Sequence, residues 1–338
     1  MPAISVVLPC YNAAETLDEA LASLTAQTFA DFEIVAVDDG STDATPAILA
    51  RWAEVEPRLR LIALRHQGIV GALRAGMEVA QAPLVARMDA DDRAHPERLE
   101  RQLAFLECHP DTAVVSCLVA GFPAEHVREG FRIYIDWLNS LVSDEEIRRE
   151  MFVESPLAHP SVLARRAWIE RVGGYQDRGW PEDYDLWLRL YLAGAHFAKV
   201  PQVLLDWREH PVRLTRSDSR YSLENFLRAK ACYLVKGPLQ DRDAVLVWGA
   251  GMIGRRISKH LLRYGAALVA FVDVDPKKIG GTRRNLPILA PNELPTWWRR
   301  YTRPALLAAV GSRGARRLIR EQLRELGLIE GYDWWAVA

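Results

Sequence analysis

The chain of 338 residues is poor in the features that mark a thiol-, lipid- or nucleic-acid-based function. It has four cysteines, Cys10, Cys108, Cys117 and Cys232, and none forms a CxxC or other metal-ligand spacing. That argues against a thiolate metal site and a disulfide framework, and fits reduced thiols in a cytosolic protein. No stretch approaches the roughly 18 uncharged apolar residues of a membrane-spanning helix. Met1-Pro2-Ala3 leads straight into a strand-like run, where a secretory leader would show a basic and then an apolar stretch. The expected location is cytoplasmic, with at most a peripheral contact with a membrane. Net charge is lacking too: Lys+Arg 43 against Asp+Glu 44 gives −1, which points away from nucleic acid.

What is present is ordinary globular composition, 49% hydrophobic and 26% charged, in a chain long enough for about two domains. The charge is unevenly spread. Residues 237–338 hold 17 basic and 9 acidic side chains, whereas residues 1–236 hold 26 and 35. An acidic front and a basic back indicate two modules with separable roles.

The front alternates strand and helix signals. Ile4 to Leu8, Phe32 to Val37, Leu59 to Leu64 and Leu84 to Met88 are short β-rich runs. Helical spacing follows them at Leu17, Ala20, Leu21 and Leu24, from a Thr45-Pro46 cap to Trp52, and over Val70–Ala80. Such alternation predicts βαβ units and a mostly parallel sheet with helices on both faces. Asp38, Asp39, Asp89, Asp91 and Asp92 then fall at the carboxyl ends of strands, where ligands of open α/β sheets bind. One such Asp is commonly a turn former or helix cap. Five like charges at two strand ends raise one another's pKa unless a cation is present, so a divalent metal is the economical explanation.

Gly121 to Pro156 is less regular, with a capping box at Ser143-Asp144-Glu145-Glu146. A helix from about Arg166 to Val172 closes at Gly173-Gly174, and another opens at Glu182-Asp183 and stops at Gly194. Val203-Leu204-Leu205 is strand-like, and a last helix, about Leu223 to Val235, runs to Lys236-Gly237-Pro238, where the domain boundary is expected.

Several segments, taken in order, carry a resemblance. They are Ser5-Val6-Val7-Leu8-Pro9-Cys10-Tyr11-Asn12, Ser23-Leu24-Thr25-Ala26-Gln27-Thr28, Val37-Asp38-Asp39-Gly40-Ser41-Thr42-Asp43, Asp89-Ala90-Asp91-Asp92, Gly173-Gly174-Tyr175 and Glu182-Asp183-Tyr184-Asp185-Leu186-Trp187. Together they resemble the family 2 glycosyltransferases of GT-A fold, over roughly residues 3–215. The departures are mild. Arg65-His66-Gln67-Gly68 stands where the family often has an Asn, and no QxxRW follows the Glu-Asp pair, which argues against a processive polysaccharide synthase.

The resemblance implies a GT-A α/β domain over residues 1–236 with a mostly parallel sheet flanked by helices. It also implies inverting, metal-dependent sugar transfer from a nucleotide-diphosphate sugar, a UDP-sugar foremost. The acceptor would be a glycan or lipid-linked saccharide in bacterial envelope polysaccharide synthesis. By the same resemblance Asp91 carries Mg²⁺ or Mn²⁺, which suit hard oxygen ligands. Asp89 touches ribose or donor sugar and Asp92 supports the metal shell. Pro9, Tyr11 and Asp39 line the base pocket, with Asp38 beside them, and Arg65 stands near the nucleotide or in a surface ion pair. His210 occupies the place of a metal-ligating or phosphate-contacting His. Asp183 matches the acceptor-side base; on its own, an acid opening a helix simply offsets the helix dipole. His95 and His159 read as structural.

The back opens with strand Ala244 to Trp248, then Gly249-x-Gly251-x-x-Gly254 and a helix to about Arg263, with Asp273 nineteen residues after the last glycine. That is the context of a nucleotide-binding loop whose acid holds a ribose hydroxyl. Phe271-Val272-Asp273-Val274-Asp275-Pro276 and Leu286-Pro287-Ile288-Leu289 are similar to Rossmann-like domains attached to bacterial sugar-modifying enzymes, which bind NAD, nucleotides or nucleotide-sugars or serve assembly. Residues 237–338 are therefore expected to form a smaller Rossmann-like domain. An NAD-dependent oxidoreductase centred there is the alternative function, although no Tyr-x-x-x-Lys pair occurs. A non-catalytic nucleotide-sugar binding protein is a further one. Trp297-Trp298-Arg299-Arg300 and Trp334-Trp335 stand out among 11 tryptophans, either as core packing or as an aromatic-basic patch for anionic lipid headgroups.

Overall fold

A computed structural model describes residues 1–210 and 213–338, which form two compact units. The first comprises residues 1–147, 156–178 and 182–217; the second comprises 148–155, 179–181 and 218–338.

The first unit is built on strands β1 (Ile4–Cys10), β2 (Phe32–Asp38), β3 (Leu59–Ala63), β4 (Leu84–Arg87), β5 (Arg93–Ala94), β6 (Thr112–Phe122), β7 (Leu163–Arg165) and β8 (His196–Arg208). They lie in the order β3-β2-β1-β4-β7-β6-β8-β5. β1 to β4 are parallel, β6 and β8 are parallel to each other, and β7 and β5 run against their neighbours. The expected mostly parallel sheet is thus observed. β1 and β2 are buried at every position, as strands covered on both faces must be, and so read as unbroken apolar runs rather than alternating ones. The helix Gly68–Val79 packs against β1 and β2. It does so closely because Gly76 has no side chain: a Cβ there would stand 2.5 Å from Cγ1 of Val7.

The structure refines several local expectations. Thr45 does not cap its helix, which starts at Thr45 itself; its hydroxyl accepts from the Ala13 N–H (2.7 Å). The irregular middle contains helices Glu129–Asn139 and Asp144–Glu150, the latter with the expected Ser143–Glu146 box. The strand expected at Val203-Leu204-Leu205 is the end of a much longer one. β8 pairs with β6 as far as Phe122↔Arg208, with register shifts near Cys117 and Leu118.

The second unit has strands β9 (Ala244–Trp248), β10 (Leu268–Val272), β11 (Thr282–Arg283), β12 (Leu286–Leu289), β13 (Pro304–Ala308) and β14 (Trp334–Ala336), in the order β11-β12-β10-β9-β13-β14. All are parallel except β11, which makes a short antiparallel pair with β12. Helix Leu223–Lys236 belongs to this unit and packs on helix Met252–Arg263. The expected division at 236/237 therefore falls inside the second unit; Gly237-Pro238 ends a helix whose buried face needs the sheet that follows. Trp334 and Trp335 are buried on β14, so this pair is core and not a lipid-facing patch. Among the described residues no helix is long and apolar enough to cross a membrane.

Candidate active site

The carboxyl ends of β1, β2 and β4 carry the acids that the sequence singled out. At the β2 end, Asp39 donates its backbone N–H to Cys10 O (2.8 Å), and its carboxylate accepts the N–H groups of Gln67 and Gly68 (2.8 Å each). Those amides open the helix Gly68–Val79, so the carboxylate offsets an unsatisfied helix start. His66 lies 2.9 Å from Asp39 Oδ2, and its ring stacks on half-exposed Tyr11 at 4.2 Å between centroids. Pro9, Tyr11, Asp39 and His66 thus form one corner, with an exposed ring on which a planar base can lie. Asp38 turns the other way and accepts the Ser41 N–H (3.1 Å), a turn-forming role. Arg65 is exposed beside His66.

Past β4, one oxygen from each of Asp89, Asp91 and Asp92 lies within 4.8 Å of the others. Each carboxylate is held differently. Asp89 pairs with Arg87, which is 4% exposed at the end of β4. Burial pushes Asp89 above the ordinary carboxylate range, and Asp91 adds to that while Arg87 opposes it. Asp91 Oδ2 meets His210 Nε2 at 2.8 Å. Burial opposes its charge, but the His210 hydrogen bond and charge, with that of Arg213, hold Asp91 below the usual range. Asp92 is 1% exposed; Oδ1 accepts the Arg208 N–H (2.8 Å), while Oδ2 is buried with no hydrogen-bond partner among the described residues. Burial and the charges of Asp91 and Asp89 push Asp92 well up. Three crowded carboxylates, one with an orphaned buried oxygen, fit a hard divalent cation, for which Asp91, Asp92 and His210 offer donor atoms.

Asp183 lies in the first turn of helix Glu182–Leu192, and its Oδ1 accepts the Tyr184 N–H (2.7 Å). Burial, reinforced by the charge of Glu182, pushes it up to about 8. Beneath lies a buried shell. His159 Nε2 and the Tyr175 hydroxyl are 2.8 Å apart, and His159 Nδ1 is 4.0 Å from Glu182. Burial and the Arg87 charge hold His159 well below its usual range, hence neutral. The charge of Arg87 acts on Asp89, Tyr175, Glu182 and Asp183, so one buried guanidinium serves both the triple-acid site and the Glu182-Asp183 turn.

Residues 5–173, half of the chain, match the model of the family described as Glycosyl transferase family 2. The chain belongs to this family. It is 34% identical over 207 residues to the amylovoran biosynthesis glycosyltransferase AmsE of Erwinia amylovora, covering 60% of this chain and 75% of that one. It is 31% identical over 246 residues to the putative glycosyltransferase EpsE of Bacillus subtilis, with coverage of 71% and 85%. Among solved structures, S. aureus TarS 1-349 in complex with UDP-GlcNAc superposes with a TM-score of 0.57 at 18% identity, over 78% of this chain and 71% of that one. The mannosyltransferase PcManGT from Pyrobaculum calidifontis, in complex with GDP-Man and Mn²⁺, gives 0.50 at 24% identity, over 69% and 62%. At these identities the structural likeness is one of fold, and it supports the GT-A assignment of the sheet. The protein is a family 2 glycosyltransferase.

In this transferase the sequence missed Arg87, His66, Arg208 and Arg213. A lone charge closing the apolar strand Leu84-Val85-Ala86 was a readable signal for Arg87. Nothing local marks Arg213, whose guanidinium stacks on Phe131 and Trp207 at 4.8 and 4.6 Å.

The glycine motif lies in the second unit, between β9 and helix Met252–Arg263. Asp273 lies at the end of β10 and is buried in the loop. Its Oδ2 accepts the Ala250 N–H (2.8 Å), its Oδ1 accepts the Asp275 N–H (2.9 Å), and Lys278 Nζ stands at 3.2 Å. Both oxygens tie the loop to itself.

Proposed function

We propose that this glycosyltransferase moves a sugar from a nucleoside-diphosphate sugar, a UDP-sugar foremost, to a hydroxyl of a glycan or lipid-linked saccharide in bacterial envelope polysaccharide assembly. The transfer is inverting and depends on a divalent cation, Mg²⁺ or Mn²⁺. The observation that carries this reading is the orphaned, buried Oδ2 of Asp92 beside Asp89 and Asp91. Like charges crowded around one buried carboxylate call for a cation, and a nucleoside diphosphate is the ligand that shares one. The relatives' names, which include amylovoran biosynthesis, and the nucleotide sugars bound to TarS and PcManGT point the same way.

Asp91, Asp92 and His210 would hold the cation, which supplies positive charge to the leaving diphosphate. Tyr11 and His66 take the base, and the Asp39 carboxylate is placed to accept its N–H. Asp89, fixed by Arg87, faces the ribose or donor sugar. Asp183 removes the proton of the acceptor hydroxyl, and a single base acting opposite the leaving group yields inversion. The second unit's parallel strands, counted in chain order, run 3-2-1-4-5, which supports a Rossmann-like reading of that unit. The order alone assigns it no reaction.

Calorimetry of UDP with and without Mn²⁺ tests the proposal. The wild type should bind UDP tightly only with the ion, and Asp91→Asn should lose that dependence while keeping its thermal midpoint. Unchanged Mn²⁺-dependent affinity in the variant would remove the assignment.

A further inference from the structure

The second unit presents an edge on which apolar and basic side chains are interleaved. In a parallel sheet the chain returns to the amino ends of the strands through the carboxyl ends of helices. The segments before β10, β9, β13 and β14 therefore emerge side by side, and with neighbouring strands about 4.8 Å apart they span roughly 14 Å. Hydrogen bonds knit them together. Asp243 accepts the N–H groups of Thr302 and Arg303 (2.7 and 2.9 Å), Arg242 donates to Pro304 O (3.1 Å), and Val245 N–H donates to Ala267 O (2.7 Å). The Arg242 guanidinium lies 5.3 Å from the Tyr332 ring.

Large apolar side chains project from this edge although the core beneath is complete. Trp334 and Trp335 are buried, yet Ile329 is 61% and Tyr332 65% exposed, and Leu262, Tyr264 and Leu326 are exposed as well. Between them stand the exposed Arg263, Arg299, Arg300, Arg303 and Arg324, with half-buried Trp297 under the Arg300 guanidinium at 4.4 Å. Acidic side chains are fewer and partly engaged. Asp243 and Asp333 accept backbone N–H groups, Asp241 is 3.8 Å from Arg303, and Glu325 is exposed.

We propose that this edge docks on an anionic lipid bilayer, its apolar tips entering the headgroup boundary and its arginines pairing with lipid phosphates. Aromatic rings and arginines also anchor protein interfaces, but around a desolvated centre free of other charge, whereas here exposed arginines separate the apolar tips. Apolar tips and aromatic rings spaced among arginines fit the chemistry of a headgroup layer instead. The edge itself carries Arg242, Arg263, Arg299, Arg300, Arg303 and Arg324 against Asp241, Asp243, Glu325 and Asp333, and this excess of positive charge gives the attraction its sign. The inference is independent of the donor reading, since it concerns residues with no part in the transfer site.

Flotation of the full chain with phosphatidylcholine vesicles, with and without phosphatidylglycerol, tests it. Binding should require phosphatidylglycerol and fall with added salt. Each arginine near an anionic surface is worth about fivefold in partitioning, so Arg299→Glu with Arg300→Glu should lower binding at least about thirtyfold. Ile329→Glu should lower it about tenfold or more at an unchanged thermal midpoint, since its side chain touches solvent and not the core. Absence of binding, binding to both vesicle types alike, or binding that both variants retain would overturn the proposal. Self-association in light scattering that Ile329→Glu dissolves, without vesicle binding, would overturn it in favour of a second copy as the occupant.

Discussion

Asp183→Asn is the substitution from which the transfer mechanism has most to lose. It preserves shape: the amide oxygen can still accept the Tyr184 N–H, now made at 2.7 Å. It removes a carboxyl that burial and the Glu182 charge lift to about 8. A positioned general base contributes about 10²–10⁴ in rate, which is roughly 3–5 kcal/mol of barrier at about 1.4 kcal/mol per decade. The base acts only when deprotonated, so about one molecule in ten is competent at pH 7 and about nine in ten at pH 9. The wild-type kcat/KM should therefore rise nearly tenfold over that interval, while the variant stays flat and the gap between them widens. Glu182→Gln takes away the second cause of the shift and should move the acid limb to lower pH. Stability carries the opposite sign. A carboxyl whose folded pKa exceeds its unfolded 3.8 stabilises the fold fully below that value and loses the contribution as pH rises to about 8. Asp183→Asn should thus be no less stable than wild type at pH 8. Release of nucleoside diphosphate from donor, followed between pH 6 and 9, gives the profile, and calorimetry with UDP confirms that donor binding persists. A flat wild-type profile, or a variant within tenfold of wild type at pH 9, would refute the role given to Asp183.

Arg87→Met should destabilise the protein by about 2 kcal/mol, because it leaves the half-buried carboxylate of Asp89 without its guanidinium partner. Adding Asp89→Asn should recover part of that loss in denaturant titrations, and an additive double variant would show that the two side chains do not act as a pair. Gly254→Ala should cost about 3 kcal/mol or more, since its Cβ would stand 1.7 Å from the Gly249 carbonyl oxygen and the backbone must move. Gly251→Ala meets no atom within 4 Å and should leave the unfolding midpoint unchanged; the reverse order of the two would contradict the packing described.

The strands that carry the site were legible because burial on both faces forces an apolar run, and an apolar run ending in Asp is a conspicuous boundary. β1, β2 and β4 end within a residue or two of their expected limits, which placed Asp39, Asp89, Asp91 and Asp92 at strand ends. β6 and β8 were harder. β8 begins with His196 and includes Lys199, Pro201 and Gln202, so its sequence looks like a loop until Val203. Its antiparallel pairing with β5 is what brings Arg208 to Asp92, and such long-range pairing leaves no local trace. Arg213 and His66 were missed for the same reason. Their functional surroundings come largely from Phe131, Asp39 and Tyr11, residues far away along the chain.

The second unit shows how a binding motif can be satisfied by the protein itself. Two of its three glycines answer to internal constraints. Gly249 has φ +112, with a Cβ position 2.9 Å from Ala309 O, and Gly254 lets helix Met252–Arg263 pass against the Gly249 carbonyl. Asp273, the acid expected to read a ribose, also closes the loop through Ala250 and Asp275. Strand-to-helix turns of this kind need those residues whether or not a phosphate ever visits, so their presence cannot separate a scaffold from a nucleotide site. Gly251 is different, because no protein atom explains it. A side chain there meets open space, so a change in nucleotide affinity in Gly251→Val would report on a ligand and not on the packing of the loop.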